Sequence, residues 1–243
     1  MKIRTLIAGY VLALALFLFA QRHPGSSPAT GFHAVVDLTH TIDAHALAYR
    51  PGEKSASLPE QFETRIDAPT RFARGLWTVD QIPSERLIAP LVVLDVSANI
   101  GNYSDYQISV ADIARWEEAH GQIPLGSVVI ARTGWDSRWR SAMDYRNADR
   151  RGTMHFPGFS PDAAKFLVEG RNAIGVGIDT LSVDYGPSKD FAVRQYTLAH
   201  SVYQLENVAN LDRAPTVGGT VVVAPAKLES GSSAPVRILA LVR

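Results

Sequence analysis

Short apolar runs rich in β-branched residues recur along the chain, at Ala34–Leu38, Leu91–Val96, Val128–Ala131, Ala173–Ile178, Thr220–Ala224 and Val236–Val242. Runs of this length read as strands. Helix signals lie between them. Ser109, with Asp112 three residues on, resembles a capping box, and the segment runs through Ile113 and Trp116 to Gly121. Ser160 followed by Pro161 gives an N-cap and a first-turn proline for a second helix that closes at Gly170. Strands alternating with helices predict one α/β domain, and 243 residues suffice to bury a sizeable core.

Several classes of function fall away on composition. Lys plus Arg and Asp plus Glu both number 24, so the concentrated positive charge that phosphate backbones demand is missing, and no nucleic-acid partner is expected. With no cysteine, disulfide frameworks, zinc ribbons and thiol nucleophiles are excluded. The chain has no G-x-S-x-G elbow, no Walker lysine and no G-x-G-x-x-G, and Gly175-Val176-Gly177, set inside an apolar run, reads as a packing feature. None of the seven histidines has another four residues away, the spacing that lets two imidazoles on one helical turn share a metal. Asp136 to Arg151 mixes five arginines with aspartates and reads as a solvated surface loop.

The first twenty residues form a targeting segment. Lys2 and Arg4 precede an uncharged stretch from Thr5 to Ala20. Its length as a helix is roughly 24 Å, short of the ~30 Å hydrocarbon core, so residues 1–20 read as a signal peptide or signal anchor and no stable span is expected. Residues 21–31 are a Pro/Ser/Gly linker, and the domain covers 32–243. The body is therefore expected outside the cytoplasm, periplasmic or extracellular, free or held by an uncleaved signal segment.

Arrangement says more than composition. Thr64 to Phe72 (T-R-I-D-A-P-T-R-F), followed by Trp77-Thr78-Val79-Asp80, resembles the H-x-G-T-H-x-D-x-P-x-H-F signature of the cyclase family, which includes bacterial kynurenine formamidase and isatin-hydrolase-like enzymes. Further matches follow in order: Asp37-Leu38-Thr39-His40, Thr133-Gly134-Trp135, His155 with Pro157-Gly158, Gly177 through Asp184, and Glu206-Asn207. The resemblance spans Val35 to Val242. It implies a swivelling β/β/α architecture, an α/β fold of mixed sheets with flanking helices in a single domain, and a homo-oligomer. It also implies hydrolysis of linear or cyclic amides of the arylformamidase type, linked to tryptophan catabolism, with zinc or manganese as the cofactor.

In that family the motif's first two histidines and its aspartate bind the metal, a later histidine and glutamate complete the site, and the last motif histidine is the acid/base. Carried over one position at a time, the first ligand histidine is Gln61, the motif glycine Glu63 and the second ligand histidine Arg65, while the aspartate persists as Asp67. The acid/base position is Arg71, the later histidine is Arg194, and its partner persists as Glu206. Arg50 stands at a position that is often an aromatic substrate contact, and only Glu53 to Glu60 separate Arg50-Pro51-Gly52 from Gln61.

A guanidinium stays protonated and only donates, so it offers a metal no lone pair and takes no proton from water. The substitutions therefore predict that no cofactor is bound and that hydrolase activity is lost or strongly altered. They have an electrostatic logic, since Arg65, Arg71 and Arg194 supply the positive charge that the metal would bring to Asp67 and Glu206. Three readings follow: a salt-bridge cluster that holds the fold, a metal-free pocket for a small carboxylate or amide ligand, and a hydrolase with a rearranged site.

Overall fold

The computed structural model describes residues 31–42, 63–101 and 103–243. The targeting segment and almost all of the linker, Arg50, the Glu53–Glu60 connection and Gln61 lie outside the described residues. In chain order the strands are β1 (Ala34–Asp37), β2 (Arg65–Asp67), β3 (Ile88–Asp95), β4 (Gln107–Ile108), β5 (Val128–Arg132), β6 (Gly158–Phe159), β7 (Gly175–Ile178), β8 (Tyr203–Glu206), β9 (Gly219–Pro225) and β10 (Ser233–Val242). The α-helices are α1 (Ser97–Ile100), α2 (Val110–His120), α3 (Ala142–Arg146), α4 (Pro161–Lys165) and α5 (Ala192–Ala199).

One eight-stranded sheet runs β1-β10-β2-β8-β7-β5-β3-β9, and β9 also pairs with β10, so seven strands close into a barrel and β1 extends it. Within this sheet β3, β5, β7 and β8 are mutually parallel and the remaining pairings are antiparallel, while β4 and β6 form a separate parallel pair. The long β10 closes the ring. One edge pairs with β9 along Val236 to Leu241, while the other takes β2 at Ser233 to Pro235 and then β1 from Leu239. Among the described residues no helix is long and apolar enough to cross a membrane.

The unbroken apolar runs follow from burial on both faces. In β3 and β5, Leu91, Val93, Val128 and Ile130 fill the barrel, while Val92, Leu94, Val129 and Ala131 meet the helical layer. In β7, Val176 and Ile178 face that layer. Gly175 and Gly177 leave the other side free: a Cβ on Gly175 would lie 2.5 Å from the Tyr203 ring, and one on Gly177 3.1 Å from Leu205. The glycine pair is indeed a packing feature, making room for a tyrosine whose hydroxyl donates to the Arg86 carbonyl at 2.9 Å.

Both helix starts match the sequence reading. The Ser109 hydroxyl accepts from the Asp112 N–H at 3.3 Å, Asp112 accepts from the Ser109 N–H at 2.7 Å, and the Ser160 hydroxyl accepts from the Ala163 N–H at 3.2 Å. The Trp116 indole donates to the Val93 carbonyl at 3.0 Å, fixing α2 against β3. The stretch from Asp136 to Arg151 needs correction. It is not simply a solvated loop, because Trp139 and Tyr145 lie within it, and Tyr145 is fully buried with Trp135, Phe156 and Leu181.

Candidate functional site

Strand β2 is three residues long and wholly buried. Its central Ile66 enters the barrel core, so the alternation of a strand sends Arg65 and Asp67 together to the opposite face. Across the ladder Arg65 faces Glu206 and Asp67 faces Gln204. The third contributor arrives on α5. Asp184 accepts from the N–H groups of Val193 (2.9 Å) and Arg194 (3.1 Å), which anchors the helix start after Phe191 turns the chain at φ 50°. Arg71 comes from the short 3-10 turn Pro69–Arg71 that follows β2.

These elements bring five of the sequence-predicted residues into one cluster. Asp67 Oδ1 accepts from Arg65 Nη2 at 2.7 Å and Nε at 3.2 Å. Asp67 Oδ2 lies 3.0 Å from Arg71 Nε and 4.0 Å from Arg194 Nε. Glu206 Oε1 accepts from Arg194 Nη2, and Oε2 lies 3.7 Å from Arg65 Nε. The side chains of Arg65, Asp67 and Glu206 are 3%, 0% and 2% exposed, and only Arg71, at 26%, reaches solvent substantially. Burial opposes the charge on Arg65 and Arg194, but their carboxylate neighbours outweigh it and hold both above the ordinary arginine value. Burial pushes the Glu206 carboxyl up, Asp67 adds to that push, and Arg194 and Arg65 oppose it.

Residues the sequence reading missed complete the cluster. Ser233 Oγ accepts from Arg65 Nη2 at 2.8 Å, and Ser182 Oγ accepts from Arg194 Nη2 at 2.9 Å. Ser182 and Asp184 sit in the matched Gly177–Asp184 string. Ser233 carried no signal, because only the β10–β2 pairing brings it across. The Arg194 guanidinium carbon lies 5.9 Å from the Phe72 ring centre and 5.6 Å from that of Phe191. Beside the cluster, a cleft of about 220 Å³ is lined by Glu63, Arg65, Arg71, Ser232 and Ser233.

A divalent metal does not fit this donor set. Each oxygen of Asp67 and Glu206 already faces a guanidinium, and three fixed positive charges stand where an incoming cation would need neutral or anionic ligands. Among the described residues no group of three or more His, Asp or Glu is placed to hold a metal ion. Gln61 and Arg50 lie outside the described residues.

Next to this cluster the Thr133-Gly134-Trp135 turn wraps a further buried carboxylate. Asp179 accepts from the N–H groups of Thr133 (2.9 Å), Gly134 (2.8 Å) and Trp135 (3.2 Å) and from the Thr133 hydroxyl (2.5 Å). Asn207, at φ 55°, accepts from the Tyr145 hydroxyl at 2.9 Å and donates to the Glu63 carbonyl at 2.8 Å, which ties the segment entering β2 to the barrel.

The family model described as "Putative cyclase" matches residues 36–185. The chain is 33% identical over 193 residues to an isatin hydrolase from Roseibium aggregatum, covering 76% of this chain and 73% of that protein. Isatin hydrolase A from Labrenzia aggregata, solved with benzyl benzoate, superposes with a TM-score of 0.77 at 31% identity, covering 86% of this chain and 93% of that one. A solved protein described as a potential metal-dependent hydrolase with cyclase activity shares the fold, with a TM-score of 0.65 at 24% identity over 86% and 98% of the two chains.

Proposed function

Because the chain belongs to the cyclase family, we propose that it is a metal-free, non-hydrolytic relative of isatin hydrolase that binds a small carboxylate in the cleft beside Arg71. Its ancestry lies with amide hydrolases of the arylformamidase type. The carrying observation is the Arg65 guanidinium, 3% exposed and bonded to Asp67, at a position where the family reaction needs a lone-pair donor. Arg71, at the acid/base position, is a guanidinium and only donates hydrogen bonds. What it retains is a partly exposed guanidinium beside a cleft with two serine residues, and guanidinium is suited to a carboxylate.

Turnover and binding assays on the purified protein test this. We expect no hydrolysis of isatin or N-formylkynurenine with zinc or manganese supplied. Benzoate should bind, benzyl alcohol should not, and Arg71→Gln should weaken benzoate about tenfold, the loss of one charge-assisted contact. Metal-stimulated turnover sinks the non-hydrolytic reading. Benzoate binding unchanged by Arg71→Gln sinks the ligand assignment.

A further inference from the structure

We infer that Arg65 is a built-in counter-cation, a guanidinium that took over the charge balance of Asp67 and Glu206, so that the barrel seam is complete without metal and becomes a cation site once arginine is withdrawn. The inference rests on the reading that metal chemistry is absent and adds what replaced it. Arg65 and Glu206 face each other across the β2–β8 ladder, and Asp67 follows two residues along the same face. Asp67 Oδ1 takes two donors from Arg65 alone. Removing that side chain would leave a buried carboxylate oxygen with neither donor, beside Glu206 and the Ser233 hydroxyl. Arg71 and Arg194 would still face its other oxygen, but a buried anion that has lost its two hydrogen-bond donors is unfavourable.

The cation belongs to the seam rather than to a solvent-exposed face. Between β10 and β8 the ring is closed by the three residues of β2 alone. Ile66 there packs into the core, whereas both outer-face residues carry charge. Arg194 supports the arrangement from α5 by bonding the other oxygen of Glu206, so with Arg71 three guanidiniums face two carboxylates. Replacing both arginines with histidine would return two neutral nitrogen donors to a pair of anionic oxygens, a set that suits zinc.

The test compares the wild-type chain with Arg65→His/Arg194→His, using zinc alone as the probe. The wild type should keep no stoichiometric metal after dialysis, and its melting temperature should not respond to zinc or chelator. The double variant should bind one zinc, and its melting temperature should rise by roughly 5–10 °C at about 100 times the dissociation constant, reversed by chelator. If the variant is unfolded without metal, zinc should restore its circular dichroism signal. Metal in the wild type, or a variant that neither binds zinc nor folds with it, overturns the inference. A cycle of Arg65→Met and Asp67→Asn gives an independent check. As counter-ions, the two changes together should lower the melting temperature by clearly less than the sum of the single losses. Additive losses would also overturn the inference, whereas substrate turnover by the wild type bears only on the function proposed above.

Discussion

Two buried carboxylate centres occupy neighbouring strands of the same barrel and are stabilised by different physics. Asp179, just beyond β7, is held by three backbone N–H groups and a hydroxyl. Glu206, at the end of β8, shares with Asp67 the formal charges of Arg65, Arg71 and Arg194. The dipoles of the turn after β5 reach Asp179 across the β5–β7 pairing and need no formal countercharge to arrive with them. Ion pairs drawn from β2, the turn after it and α5 do, and each partner left alone is a buried charge. The first centre thus joins the ends of two paired strands through uncharged donors, whereas the second gathers formal charges from β2, β8, α5 and the turn after β2.

The most severe way to break this contrast is Asp67→Asn. It leaves the charges of Arg65, Arg71 and Arg194 facing one fewer anion, and turns an NH2 donor toward the guanidiniums in place of one carboxylate oxygen. Removing one member of a buried ion pair costs about 3–5 kcal/mol, and we expect a loss of that size in denaturant unfolding. A loss below about 1 kcal/mol would mean that the cluster relaxes into solvent and is not the seam described above.

Asp179→Asn should cost less, about 2 kcal/mol, because the amide keeps one acceptor oxygen and turns an NH2 toward the N–H groups of the turn. Burial pushes the Asp179 carboxyl up to about 7, against the opposing pull of Thr133 and Gly134. A folded value above the ordinary 3.8 contributes stability below that value and loses it as pH rises toward 7. The penalty of Asp179→Asn should therefore shrink between pH 4 and 7, and a penalty that grows over that range would contradict the burial described.

The two centres also differed in how readable they were. The barrel's parallel strands announced themselves, because Val128 to Ala131 and Leu91 to Leu94 are apolar at every position, as burial on both faces requires. The helix starts at Ser109 and Ser160 were legible from their caps. Strand β2 was not, since three residues with charges at both ends lack any hydrophobic period, and only its pairing with β8 and β10 makes it a strand. The cluster's members were reachable through the motif resemblance, position by position. Their mutual pairing was not, because Ser233 and Arg194 reach Arg65 and Glu206 only after the ring has closed. Thr133-Gly134-Trp135 and Asp179 appeared as separate matches, and nothing in the sequence joined the turn to the carboxylate it wraps.

His40, half-buried, represents a third treatment of a titratable group, in which the charge is given up. Its ring stacks on Trp139 with centroids 3.8 Å apart and planes 7° from parallel, and its Nε2 is buried without a hydrogen-bond partner. Burial lowers its pKa from 6.5 to about 4. Between those values the unfolded chain binds the proton and the folded one does not, so this contribution is present above pH 6.5 and is lost as pH falls toward 4. His40→Phe keeps a flat ring against Trp139 and removes the titration. At neutral pH the pH-dependent part of the difference should be close to zero, the smallest effect considered. At pH 5 it should have shifted in favour of the variant by up to about 2 kcal/mol. Unfolding curves of both proteins at several pH values read the difference directly. Parallel curves from pH 7 to 5 would show that the histidine keeps its proton in the fold, and neutral burial would then have to be dropped as a third treatment.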